Sequence, residues 1–224
     1  MNRFTAILAT GISLLAFASA AHAADLIIEQ PAAAPMVEAA SGSWDGFYIG
    51  AFGGYALGEA YDDNGDSIVD LDGQFIAGLN AGVNFTLTDG IILGVAADAE
   101  YLGLEGLTDD QMGQEIAYDL YWAGSLRGLI GFDGGAFMPY LTAGLAVAGA
   151  QVDASGTVNA SDSNTHIGWT AGAGVAFAAT ENVSVDLQYR YSDFGTQDYT
   201  LGSLGTESIG FTTHQVTVGL NWKF

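Results

Sequence analysis

The chain has 224 residues, with 26 acidic side chains against four lysines and arginines, for a formal net charge of −22. That balance argues against nucleic acid as a partner, which requires basic patches. No cysteine is present, so stability must come from the fold itself rather than from disulfides.

Residues 1–23 begin with Arg3, continue in an apolar run from about Ala6 to Ala20, and end on the small-residue site Ala21-His22-Ala23. This reads as a secretory signal peptide cleaved after Ala23. The apolar run is short for a membrane anchor, and a cleavage site follows it. Export is therefore the first expectation, and it leaves Arg127, Arg190 and Lys223 as the basic residues of the mature chain. Residues 24–43 carry Pro31, Pro35 and an alanine run without a sustained period, and read as a periplasmic linker. Residues 44–224 form one domain on the length prior. The best candidate for a membrane helix, Gly134 to Ala150, is short, glycine-rich and broken by Pro139, so it reads as a turn and a strand.

Eight segments alternate apolar and polar residues. The first, from about Phe47 to Leu57, puts Phe47, Ile49, Ala51 and Tyr55 in one phase. The second, about Gln74 to Leu87, turns Phe75, Leu79, Val83 and Phe85 one way and Gln74, Asn80 and Asn84 the other. Thr88-Asp89-Gly90 makes a tight turn into the third, about Ile91 to Leu102, with Asp98 and Glu100 inward. The fourth, about Ala117 to Phe132, puts Tyr118, Leu120, Trp122, Leu126, Ile130 and Phe132 outward and Asp119, Tyr121, Ser125 and Arg127 inward. The fifth runs from about Pro139 to Ala150 and the sixth from about His166 to Ala178. The seventh, about Val183 to Ser192, points Ser184, Asp186, Gln188 and Arg190 inward. The last alternates Val216, Val218, Leu220, Trp222 and Phe224 with Thr217, Gly219, Asn221 and Lys223.

A strand that ends the chain on Trp-x-Phe suits one face in lipid and the other in a packed polar lumen, and closure is how a sheet satisfies its backbone in hydrocarbon. The connections alternate too. Gly58–Asp72, Gly103–Glu115, Gln151–Thr165 and Asp193–Gly210 are long and polar, while the three between them are tight. A soluble β-sandwich has no reason for that strict alternation. The expected fold is all-β: an eight-stranded antiparallel transmembrane β-barrel with four long extracellular loops and short periplasmic turns. Outward-phase Phe47, Phe85, Phe132, Phe177, Trp222 and Phe224 would form one membrane-interface girdle. Tyr55, Phe75, Tyr101, Tyr118, Trp169 and Tyr191 would form the other, with Trp122 on the same face. The terminal Phe224 is also the expected signal to the barrel-assembly machinery.

The basic residues Arg127, Arg190 and Lys223 share the inward phase with Asp98, Glu100, Asp119 and Asp186, forming a lumen charge cluster. An eight-stranded interior is just filled by side chains, which favours a salt-bridged plug over a selectivity constriction. The long connections carry fifteen acids and no lysine or arginine. They are either solvated loops or a surface bridged by divalent cations to lipopolysaccharide. Asp62, Asn64, Asp66 and Asp70 imitate part of a calcium loop, but Ser67 and Gly73 stand where the glycine and the bidentate acid belong. His166 and His214, near the outer rim, are read as interfacial polar residues before haem or metal ligands. No Ser-His-Asp or acid–base constellation converges, so no enzyme and no cofactor are expected.

Trp44-Asp45-Gly46-Phe47-Tyr48-Ile49-Gly50 resembles the W-x-G-x-Y-x-G opening of the alphaproteobacterial outer-membrane β-barrel family of opacity-type, small porin-like surface proteins. The resemblance extends through Trp122–Gly128, Met138–Gly144, Gln188–Gly195 and the last strand, nearly the whole mature chain. It implies residence in the cell outer membrane and a role in envelope integrity and surface contact; some members are porins or haemin binders. The acidic loops depart from the family pattern. Three roles stay open: a structural surface barrel, a small porin passing ions or small solutes, and a surface binder of haemin or divalent cations.

Overall fold

The computed structural model describes residues 44–87, 90–109 and 113–224. The signal and linker segments and the Thr88-Asp89 part of a turn lie outside the described residues. The alternating segments become β1 (Gly46–Asp62), β2 (Ser67–Thr86), β3 (Ile91–Asp109), β4 (Glu115–Phe132), β5 (Phe137–Ser155), β6 (Ala160–Ala178), β7 (Val183–Thr200) and β8 (Thr206–Lys223). Each pairs antiparallel with its neighbour in sequence, and the ring closes between β8 and β1, from Tyr48 opposite Lys223 to Asp62 opposite Ile209. In the band where all eight ladders pair, closure leaves no unpaired edge, the condition for a sheet in hydrocarbon; above it β2 and β3 part beyond Ala77/Tyr101, and β6 and β7 beyond Trp169/Asp193.

The long connections are built differently from the expected loops. Their residues continue the ladder as paired arms of 17–20-residue strands, and only short tips, such as 63–66 and 156–159, leave the sheet. At the first tip the Asp62 carboxylate accepts the backbone N–H of Asn64 at 2.9 Å and of Asp66 at 2.8 Å, while Gly65 takes the left-handed conformation. A side chain that satisfies its own turn lets a hairpin stay narrow where a loop was expected.

Register shifts gather near the arm-end girdle: beside Ala56/Gly58, Tyr101/Leu104, Leu120/Trp122 and Asp193/Thr196. An extra residue in one strand reverses its inside and outside. On β4 the inward set is Ala123 and Arg127 below the bulge but Leu120 and Tyr118 above it. β2 switches from Ile76 to Leu71, and β7 from Phe194 to Tyr199. Gly103 and Gly195, both at positive φ, sit at two of these shifts, where a side chain would strain the bulge.

The bulges bring two corrections. Tyr118 and Leu120 face inward and are buried, so Tyr118 leaves the expected girdle. Asp119 is turned out of the lumen, and Tyr121 is exposed on the outside. The strict period-two reading carried the β4 phase one residue too far.

The outer face otherwise follows the dyad. Phe75, Leu79, Leu126, Leu141, Leu145 and Leu220 are among a continuous set of exposed apolar side chains. The expected aromatics are grouped by contact at both borders. Phe47 meets Phe224 at 5.8 Å at the turn end; Tyr55 meets Phe75 at 5.4 Å and Trp169 meets Tyr191 at 5.3 Å at the arm end. Tyr101 and Trp122 are cross-strand partners in the same upper ring, while Phe85, Phe132, Phe177 and Trp222 stand exposed in the lower one. Such rings favour the boundaries of a hydrocarbon slab.

Candidate functional site: a lumen in layers

The lumen is filled, and its filling changes character along the barrel axis. At the turn end Trp44, just before β1, folds into the mouth against Ile92, Met138, Tyr140 and Ala176. Ile92, Met138 and Ala176 stand close to the three short turns, so the cluster that includes Trp44 draws on the wall beside all of them. Above it lies a cavity of about 80 Å³ with a mixed polar lining.

The ion network forms the next layer. Arg190 Nη1 lies 2.8 Å from Asp98 Oδ1 and its Nη2 lies 2.6 Å from Glu100 Oε2; Arg127 Nη2 lies 2.5 Å from the same Asp98 oxygen. Gln215 joins the pair by accepting from Arg190 Nε at 3.0 Å and donating to Glu100 Oε1 at 2.9 Å. Ser125 Oγ donates to Asp98 at 2.7 Å. On the other side Arg127 Nη1 donates to Gln188 Oε1 at 3.0 Å, and Gln188 Nε2 donates to the Tyr140 hydroxyl at 2.9 Å. That hydroxyl in turn donates to Asp186 at 2.8 Å. Tyr140 can lie across the wall because its strand partner is Gly174, where a Cβ would come within 2.5 Å of the phenol ring. Two guanidinium groups and two carboxylates, all under a tenth exposed, therefore balance in charge and share neutral amide partners. Pairing and hydrogen bonding of this kind offset the desolvation of such ions.

Of the seven expected lumen charges, Asp98, Glu100, Arg127 and Arg190 come together, and Asp186 joins through Tyr140 and Gln188. Lys223 lies apart, on the wall of the cavity near the turn end. Asp119 stands on the outside of the arms opposite Glu105. There burial first, then the carboxylates of Glu105 and Asp153, push it above the ordinary carboxylate range.

A thin hydroxyl layer follows, in which Ser192 Oγ donates to Thr170 Oγ1 at 2.9 Å, with the buried Thr213 among the inward residues of β8. Beyond it the lumen turns apolar. Leu102, Leu104, Leu120, Val152, Phe194, Tyr199 and Phe211 are fully buried inside the arms, within a larger cluster that includes small alanines of β5. The expected lumen was polar throughout; this plug was not anticipated.

His166 is buried in the plug. Its Nδ1 lies 3.0 Å from the Gly195 carbonyl oxygen and its Nε2 2.8 Å from the Tyr199 hydroxyl. A carbonyl only accepts, so Nδ1 carries the proton and the neutral ring accepts from Tyr199 through Nε2. Both nitrogens are engaged and the ring packs edge-on to Phe211 at 5.1 Å. His214 is on the outer face, where it meets the Tyr189 hydroxyl at 2.7 Å and packs on Tyr191 at 5.0 Å. Neither histidine shares a site with the other.

At the tip of β1 and β2, Asp62 is held below the usual carboxylate range, chiefly by the Asp66 N–H. Asn64 bonds back to Asp62 and Asp63, and Asp70 is an exposed strand residue opposite Glu59. These four side chains build and flank a turn. Among the described residues, no three histidine or acidic side chains converge as metal ligands.

Residues 10–224 match the family described as outer membrane protein beta-barrel domain. The chain is 36% identical over 225 residues to the 25 kDa outer-membrane immunogenic protein of Brucella abortus, covering all of both chains. It is 35% identical over 184 residues to the 22 kDa outer membrane protein of Rhizobium leguminosarum, covering 82% of this chain and 80% of that one. Among solved structures, Neisserial surface protein A is 22% identical with a TM-score of 0.49, covering 80% of this chain and 97% of that one.

Proposed function

The chain belongs to the outer membrane protein beta-barrel family and resides in the outer membrane, and on that premise we propose that it is a closed structural barrel displayed at the cell surface. The observation that carries this reading is the apolar plug stacked on a charge-balanced ion network. An ion crossing the lumen would meet first a set of carboxylates already bound to guanidinium groups, then a thin hydroxyl layer, then an apolar stretch whose polar groups, His166, the Tyr199 hydroxyl and the Gly195 carbonyl, are already bonded to one another. The lumen carboxylates hold arginines, amides and a phenol in place, which is a supporting role and leaves them no proton-transfer chemistry.

The turn end faces the periplasm and the arms project outside, as short turns and long connections are divided in barrels of this class. The arms then form a rigid collar above the lipid, acidic on its outer wall. Lipopolysaccharide is anionic, so that wall approaches it only with cations between. Phe224, exposed at the last strand's end and beside Phe47, remains the residue offered to the assembly machinery.

Planar-bilayer recording of the refolded protein tests the closed reading. The expected trace is flat. Steady conductance steps that change size in Arg127→Ala would overturn it in favour of a small porin. Electrophoresis with and without boiling first establishes that the barrel is folded.

A further inference from the structure

The cavity between Trp44 and the ion network has a chemistry the plug does not explain. Four buried side-chain atoms from residues that line it have no hydrogen-bond partner: Trp44 Nε1, Arg127 Nε, Asn80 Oδ1 and Asn84 Oδ1. Two donate and two accept. Trp44, Arg127 and Asn84 are each more than nine-tenths buried. Gly50 and Gly94 leave room for the amide heads, since a Cβ there would fall 2.7 Å from Asn80 Oδ1 and 2.2 Å from Asn84 Oδ1. Unmet polar atoms of both kinds in a space of about 80 Å³ call for guests that both donate and accept, and water needs roughly 10–15 Å³ of such space each. Charge does not suit the space. The two guanidinium groups beside it are paired with Asp98 and Glu100, and the wall also holds one charge of each sign, Asp186 and Lys223, so an added ion of either sign would lose its water beside a like charge as well as an opposite one.

The way in is also visible. A second, smaller cavity of about 30 Å³ reaches the β6–β7 turn at Thr180 and Asn182, and it shares Trp44, Ser184 and Lys223 with the first. Those residues are the partition between chamber and vestibule. At the other end, the plug closes the lumen.

We propose that the chamber is a binding site, open to the periplasm alone, for small uncharged molecules that both donate and accept hydrogen bonds, with water the smallest, and that Trp44 is its stopper. The site goes beyond a closed structural barrel, because it exchanges its contents without letting anything across.

The chain has no cysteine, so one engineered thiol reports cleanly. Thr142→Cys places a thiol in the chamber wall, and Val152→Cys places one in the plug. Folded protein in vesicles is treated with neutral methyl methanethiolsulfonate or with its charged sulfonatoethyl analogue. Thr142→Cys should react with the neutral reagent at least tenfold faster than with the charged one. Adding Trp44→Ala should speed the neutral reaction at least tenfold, while Trp44→Phe, which keeps a ring in the mouth, should stay slow. Val152→Cys should remain unreactive throughout. Equal rates for both reagents, or no change with Trp44→Ala in protein that keeps its folded electrophoretic mobility, would overturn the proposal. Bilayer conductance separates this outcome from failure of the closed-barrel reading: a reactive Val152→Cys with current steps sinks the latter, whereas an inert chamber without current sinks only the former.

Discussion

The two halves of the lumen solve the same problem with opposite materials. Toward the periplasm the wall faces lipid, so its outside is apolar and its inside holds Asp98, Glu100, Arg127 and Arg190. Toward the outside the wall faces water, so its outside carries Asp70, Glu105 and Asp119 and its inside holds Leu104, Leu120 and Phe211. The bulges on β2, β4 and β7 lie at the border and exchange the faces there. Below, the strands form a closed membrane barrel; above, where β2–β3 pairing stops at Ala77/Tyr101 and β6–β7 pairing at Trp169/Asp193, they open into two four-stranded sheets, β7-β8-β1-β2 and β3-β4-β5-β6, around a soluble-type core. The lesson is that the solvent outside a strand, rather than the fold, decides what fills its core.

The sharpest way to break the comparison is to remove one ion. Asp98→Ala leaves Arg127 and Arg190 without their shared carboxylate oxygen and should cost about 3–5 kcal/mol, read from urea unfolding in lipid vesicles. Replacing all four charged members with apolar side chains of matched volume should cost less than that single change, because no ion is left stranded. A quadruple variant less stable than Asp98→Ala would show that the network supplies net stability beyond avoiding its own desolvation.

The plug should behave otherwise. Leu120→Ala removes packing alone and should cost about 2–4 kcal/mol, while Leu120→Met should cost less than about 1.5. The same unfolding assay decides it; equal losses for both variants would mean that residue 120 is not packed in a dry core.

A charge on the outer face maps the border itself. Leu126→Arg, midway between the girdles, should cost about 2–4 kcal/mol, whereas Leu107→Arg, on the exposed arm, should cost about 0–1. Similar penalties at the two positions would place the arms inside the lipid.

Strand number, strand order and most of the lipid face were legible, because each segment keeps an apolar phase long enough to be read by eye. Of the seven expected lumen charges, four meet in ion pairs, Asp186 joins them through Tyr140 and Gln188, Lys223 lines the cavity and Asp119 is turned out; the basic residues are so few that their shared phase could be seen. The plug escaped notice for a physical reason. Tyr118 and Leu120 continue the apolar phase of Trp122 without a break, and nothing in the residues marks Tyr121 as the extra one. A signal did exist: Gly103 and Gly195, just past the ends of the read strands, are the kind of residue a bulge uses. Trp44 was read as part of an opening motif; its stopper role depends on residues from β3, β5 and β6 that no local pattern links.

The smallest effect concerns the arm tips. Asp62 is held low by backbone N–H groups, so its contribution is present above the ordinary carboxylate value of 3.8 and fades as pH falls through the lower folded value. The amide resonances of Asn64 and Asp66 should titrate together with a midpoint below 3.8. A midpoint at or above it would mean that the turn is not held by that carboxylate in solution.

The seam between β1 and β8 joins the two extremes of the described chain. Its partners are 175 positions apart at Tyr48 and Lys223 and 147 apart at Asp62 and Ile209, so this ladder closes the longest loop and forms at the greatest entropic cost. Until the final residues have been made and exported, every intermediate carries two bare sheet edges, each a template for aggregation. A sheet that closes on its own first and last strands has its backbone satisfied only when both are in place, so this fold is completed at the seam rather than strand by strand.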